Sequence, residues 1–438
     1  MPPCIARLRF LDAHSLAFNA GMALPAECKL IIALCLKAQN TVFVLEMVRR
    51  DCSAFIVCHA VEMPKKESPK EPKKVMVQEK RGVMADEHPA ERHIQHTGQK
   101  KCWDGRGHEI SSPRGTGQDG ELKKGVSSPE PRFSDNHDGT VTDNLTKLIW
   151  LKNADPFGER KWEDSVDRAR RLASGSHDLK DSSSAGQWRM PNLRELLSLI
   201  DYGRYKPIMP HSHPFENVKE AIYWTSTSLT PAAHMAWMMT LGIGPTVFDI
   251  KDSLNRTWPV RGRSTFVPRT GQKLCFNNNG EPIDAKGTGQ DGDLQAGVEF
   301  PDPRFTDNGD GTITDNLTNL VWLKDGNPFG FRVWEEALAL CNSLESGDKG
   351  LTDDSKAGDW RLPNIREIES LVDYNEVGPC LPKGNPFKNV RPSSYWTSTS
   401  VEAAPTEAMF IILGVGPSIF ESKEHPFFVW PVRDKRKK

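Results

Sequence analysis

Few residues able to do chemistry recur in this chain, although most of the chain is written twice. From Gly115 the run GTGQDGELKKGV…PEPRFSDNHDGTVTDNLTKLIWLK returns at Gly287 as GTGQDGDLQAGV…PDPRFTDNGDGTITDNLTNLVWLK, an offset of 172 residues. A shared catalytic site should leave matched nucleophiles, bases or carboxylate clusters. Cys102 and Cys275 are matched, but no histidine is matched beside them to act as a base. His211 and His213 stand where the second copy has Lys383 and Asn385, and no third metal ligand accompanies them. GTGQDG lacks the Lys and Ser/Thr of a phosphate loop. The expectation is a protein that is not an enzyme, with no catalytic residues.

The DN-x-DGT-x-TDN segment is the one candidate for metal chemistry. Asp135, Asp138 and Asp143, with Asp307, Asp310 and Asp315, supply hard oxygen ligands suited to calcium. The EF-hand spacing is broken, because Ser134 or Thr306 stands at the first ligand position and no Glu stands at the twelfth. Asp and Asn also favour tight turns for backbone reasons alone. Both readings stay open, and no other cofactor is expected. For ligand binding, the candidates are Trp224, Ser226 and Arg261, with Trp396, Ser398 and Arg433. Each Trp and Ser share one face of the strand YWTSTS. Each Arg follows a WPV strand, where a core role would favour an apolar residue. The competing readings are a Trp in the core and an Arg paired with an acid of its own domain.

The elements that would position these residues repeat as well. Apolar and polar residues alternate on both sides of Asp138-Gly139 and Asp310-Gly311, the pattern of a β-hairpin. Apolar residues at helical spacing begin at Trp162 and Trp334. In W-R-x-P-N-x-R-E, Asn192 or Asn364 precedes Glu195 or Glu367 by three residues, a capping box that predicts a second helix. YWTSTS and WPVR then read as strands. Ten of the twelve tryptophans fall in five matched pairs: 150/322, 162/334, 188/360, 224/396 and 258/430. Each can bury roughly 150–250 Å², so at least three pairs are expected in the core. Cys341 and Cys380 are both absent from the first copy, where Ala169 and Ile208 stand. They form either a disulfide or two unrelated buried thiols.

A repeat this long is the size of a domain rather than of a solenoid unit. The expected organisation is an N-terminal segment 1–62, a charged linker 63–96 rich in Lys, Glu and Pro, and domains at 97–263 and 270–434. Roughly 165 residues suffice for a core, so each copy is expected to fold separately. The segment 1–62 carries the apolar run LIIALCL from Leu30, read either as a signal or anchor core or as the product of a misassigned start. No run of 18 apolar residues exists, so no transmembrane helix is expected. The net charge of −1 divides into +1 over residues 1–62, +4 over 63–101 and +3 over 434–438, which leaves −9 for 102–433. Acidic repeat bodies argue against nucleic acid as a partner.

RFTDNGDGTITDNLTNLVWLK, AGDWRLPNIREIESLVDY, YWTSTS and WPVR, in that order, resemble the Lcl C-terminal domain family of bacterial collagen-like adhesins. The resemblance implies an α+β class of two tandem C-type-lectin-like domains, each with two helices and several short antiparallel strands. It implies an extracytoplasmic setting, at the cell envelope or secreted, and a binding or adhesion role toward a glycan or another surface ligand. Family members often carry a second cysteine where this chain has Ser111-Ser112 and Asp284-Ala285, so whether Cys102 and Cys275 are paired is open. The alternatives are a structural surface protein without a ligand and an enzyme on a related formylglycine-generating-like fold. The latter needs a reactive cysteine pair near the domain end, and neither 253–261 nor 425–433 contains a cysteine.

Overall fold

The computed structural model describes residues 93–436 and, before them, the backbone of three strands. Contacts divide the chain into units 1–85 and 86–438. In the first unit, Leu34–Ala38, Thr41–Arg50 and Ser53–Glu62 form an antiparallel sheet in that order. The expectations for a signal, an anchor or a different start, and for most of the linker, fall outside the described residues. Among the described residues no helix is long and apolar enough to cross a membrane.

The second unit is mixed α and β. Its first copy contains α1 (Asp119–Leu122), α2 (Trp162–Arg171) and α3 (Leu193–Leu197), and its second contains α4 (Asp291–Leu294), α5 (Trp334–Ser343) and α6 (Ile365–Ser370). Strands Phe133–Asp135 and Thr140–Asp143 form the expected hairpin, and Ile149–Leu151 extends it. The closing strand Val260–Arg261 returns against Trp150 and then pairs with Trp188–Arg189. A second sheet runs Thr246–Ile250, Met235–Thr240, Ile222–Ser228. The second copy repeats this plan, with Val432 returning against Trp322. All five matched tryptophan pairs are buried, and Trp150–Trp258 and Trp322–Trp430 meet edge to face at 5.6 and 5.4 Å. Aromatic rings meeting this way add to what their burial contributes.

The two copies do not stand apart. The segment opening each copy leaves its own body and docks on the other. Gln99 donates to Ser400 O at 2.7 Å and accepts from Ser400 N–H at 3.0 Å. Gln272 makes the same pair of bonds with Ser228, at 2.7 and 2.9 Å. Near the middle of this arrangement Thr246 and Ser418, one repeat apart, share a hydroxyl–hydroxyl bond at 3.1 Å. Each opening arm thus fills the same place on the opposite copy, and residues 93–436 form one body with internal two-fold pseudosymmetry. The expected boundaries mark the two copies, and the arms join those copies through contacts into one unit. Repetition shows which segments are alike, but contacts decide which body an arm completes.

Candidate functional site

The candidate binding residues are spent on structure. Trp224 and Trp396 are buried and donate their indole N–H to Arg160 O at 3.0 Å and Arg332 O at 2.9 Å. Ser226 and Ser398 are buried, and their backbone N–H groups donate to Pro191 O and Pro363 O, both at 2.8 Å. Arg261 Nε lies 3.3 Å from Asp181 Oδ2, and its guanidinium covers the Trp188 ring at 5.6 Å. Arg433 binds Asp353 at 3.0–3.1 Å and covers Trp360 at 5.2 Å. In each copy, therefore, the closing arginine pairs with an acid of its own domain and seals a core tryptophan. Both faces of the YWTSTS strand are covered, because the opposite arm packs on the side that a single domain would leave open.

The calcium candidates do not converge. Asp143 and Asp315 are fully buried and clamp Arg132 and Arg304 in two-bond pairs at 2.7–2.9 Å. Asp135 lies 3.0 Å from Lys152, and Asp307 pairs with Lys324. Asp138 and Asp310 accept from Thr140 and Thr312 in the hairpin turn. Every carboxylate is committed to a cation or to a turn, and among the described residues no group of three His, Cys, Asp or Glu could hold a metal. Cys341 and Cys380 are free rather than bonded to each other, as are Cys102 and Cys275. Cys341 packs on the buried face of α5, Cys380 is held by its N–H to Leu413 O at 2.8 Å, and burial pushes both thiols up.

The chemistry-bearing residues that sequence reasoning missed hold the arms. Asp119 on α1 accepts from Thr399 of the other copy at 2.7 Å. Asp291 on α4 accepts from Thr227 at 2.7 Å and from Thr270 at 2.6 Å. Among the described residues neither aspartate has a cation within ion-pair distance, and burial raises each pKa to about 6. Lys423 and Lys251 are the complementary pair. Lys423 Nζ donates to Trp103 O at 3.3 Å and lies 4.2 Å over Trp334; Lys251 Nζ donates to Phe276 O at 3.2 Å and lies 4.1 Å over Trp162. Burial lowers both amines to about 8. The signal was available, since both pairs recur in the two copies, but each looked like one more surface charge.

Where an arm meets the opposite body a cleft opens. Asp104 and Arg106 of the first arm, with Glu335, Lys423 and Glu424 of the second body, line about 370 Å³ together with His108. Gly105 N–H donates to Glu335 at 2.7 Å across this seam. The matching seam is bridged by a side chain, Asn278 donating to Glu163 at 2.8 Å. A second cleft of about 240 Å³ lies beside Arg433, bounded by Arg361, Asp359, Asp434, Lys435 and Arg436.

The family model of the Lcl C-terminal domain matches residues 139–261 and again 311–433, more than half of the chain. The chain belongs to the Lcl C-terminal domain family. No curated protein and no solved structure matches it. The matched spans of this Lcl C-terminal domain protein begin at the turn of each hairpin, so each exchanged arm precedes the match of its own copy.

Proposed function

We propose that this tandem Lcl C-terminal domain protein is a non-enzymatic binding or adhesion module, presented outside the cytoplasm on a C-type-lectin-like scaffold. Its ligand is a glycan or another surface ligand. The observation supporting this reading is the arm–body cleft, whose volume falls in the range of small-ligand sites. Carboxylates from Asp104, Glu335 and Glu424 accept hydrogen bonds, and Arg106 and Lys423 donate them. Sugar hydroxyls do both, so a lining of mixed donors and acceptors suits a hydroxyl-rich ligand. A glycan array probed with the full chain tests the proposal. Glu335→Gln, at an exposed position on α5, is expected to abolish binding of any glycan that docks in the cleft while leaving the melting temperature near that of the parent. Retained binding in Glu335→Gln would remove the ligand from this cleft.

A structural surface protein without a ligand is the second reading. It is favoured by the burial of many matched polar side chains within the domain pair, among them Arg189/Arg361, Glu195/Glu367 and Asp119/Asp291. A blank array together with an unbound cleft would favour it over the first.

A further inference from the structure

The two capped helices, α3 and α6, face each other across the pseudo-two-fold axis, and each sends an arginine into the other copy. Arg194 Nη2 donates to Val372 O at 2.6 Å, and Arg366 Nη2 donates to Ile200 O at 2.6 Å. Each guanidinium lies against the other copy's tyrosine, Arg194 at 5.9 Å from the Tyr374 ring and Arg366 at 5.4 Å from Tyr202. Carbonyls just beyond a helix C-terminus carry partial negative charge, so these contacts aim the cations. They do not neutralise them. Among the described residues neither arginine has a carboxylate within ion-pair distance, and the Nε of each is buried without a partner. Burial lowers both guanidinium pKa values.

Both side chains open onto one cavity of about 60 Å³, walled by the matched segments 93–95 and 266–268. One water needs only about 10–15 Å³ of such space, so the cavity has room for a small polyatomic ion. The pseudosymmetry breaks at one point on its lining. Glu369 stands where the first copy has Leu197. Glu369 is hydrogen-bonded to Ser418, its Oε1 is buried without a partner, and burial raises its pKa.

We propose that this cavity binds one small oxyanion, phosphate or carboxylate, between Arg194 and Arg366, with Glu369 weakening the site by its like charge. Planar guanidinium groups match the oxygens of phosphate and carboxylate, and two that face one cavity can share one anion. An oxyanion would satisfy the Nε donors left over once the helix-end carbonyls are bound. Glu369 could instead be the built-in counter-ion of both arginines. The two ideas differ in what its removal does.

The test is a titration of the full-length protein with inorganic phosphate and with acetate, each against chloride at the same ionic strength, followed by calorimetry and melting temperature. Phosphate or acetate is expected to bind and to raise the melting temperature where chloride does not, and the tighter of the two names the source. Glu369→Leu, which restores the residue of the first copy, is expected to tighten that binding by about tenfold, the size of one partly screened charge interaction. Arg366→Lys keeps a cation but loses the planar fork and is expected to weaken binding by about tenfold. The proposal is overturned if neither oxyanion differs from chloride in both the parent and Glu369→Leu. It is equally overturned if Glu369→Leu melts lower and gains no affinity, which would make Glu369 the counter-ion.

Discussion

Asp119 and Asp291 carry the clearest consequence at the level of single residues. Each is a buried acid that receives hydroxyl donors from both copies, and its pKa in the fold is about 6 against an ordinary 3.8. Burial is the main cause; Glu367 adds to it at Asp119 and Glu195 at Asp291, with Arg361 and Arg189 opposing. A carboxyl raised in the folded state contributes stability that is fully present below its unfolded value and is lost as pH rises through the folded one. Each aspartate therefore weakens the arm joint above pH 6, by an amount on the order of 3 kcal/mol. Asp291→Asn keeps an acceptor for Thr227 and Thr270. It is expected to melt higher than the parent at pH 7.5 and to match it near pH 4. Equal melting temperatures at both pH values would show that the acid is not strained by its burial. Thiol chemistry belongs to the same scale. With buried thiols held protonated, Cys341 and Cys380 are expected to resist alkylation in the folded protein and to react once it is unfolded, and mass spectrometry should find no bond between them. Neither effect could be read from sequence. A matched Asp is equally consistent with a turn, a metal ligand or a surface charge, and only the enclosing arm decides.

Helices and turns were the most legible elements. The capping boxes form as their spacing dictates: Asn192 accepts from Glu195 N–H at 2.9 Å, Glu195 accepts from Asn192 N–H at 3.0 Å, and Asn364 and Glu367 repeat the exchange. Trp162 and Trp334 begin helices, and the Asp-Gly turns join hairpin strands. These features are local, so a short window of sequence contains all the physics that makes them. The same asparagines hold something that no window contains. Asn192 Nδ2 donates to Ala296 O of the other copy's arm at 3.1 Å, and Asn364 Nδ2 donates to Lys124 O at 3.3 Å. Asn192→Ser keeps a capping hydroxyl and loses the amide donor, so it should cost about 1 kcal/mol. Asn192→Ala loses both and should cost about 1–3 kcal/mol in denaturant unfolding. If serine and alanine cost the same, the cap contributes nothing beyond the bond to the arm. The candidate ligand strand shows the opposite limit. Its period-two pattern predicted a strand and left its Trp–Ser face open to either a ligand role or a core role, and the structure buries that face.

At the scale of the molecule, duplication was plain in the sequence and its consequence was not. Two copies of one sequence are compatible with beads on a string or with a tethered pseudo-dimer, because both use the same motifs and the same local elements. The difference lies in side-chain joints made across copies, among them Gln99 to Ser400, Asp119 to Thr399, Gln272 to Ser228 and Asp291 to Thr227. Their sequence separations, from 44 to 301 residues, exceed any local pattern. The exchange also explains why matched polar residues such as Asp119/Asp291 and Gln99/Gln272 are buried, and it creates both the arm–body cleft and the axial cavity. The most direct measurement uses the chain cut between Arg263 and Ser264, with residues 86–263 and 264–438 produced separately and then mixed. Arm exchange predicts a 1:1 complex that runs as one species on a sizing column and melts in a single transition near that of the uncut chain. Two fragments that each melt cooperatively as monomers at that same temperature, and ignore each other when mixed, would contradict it.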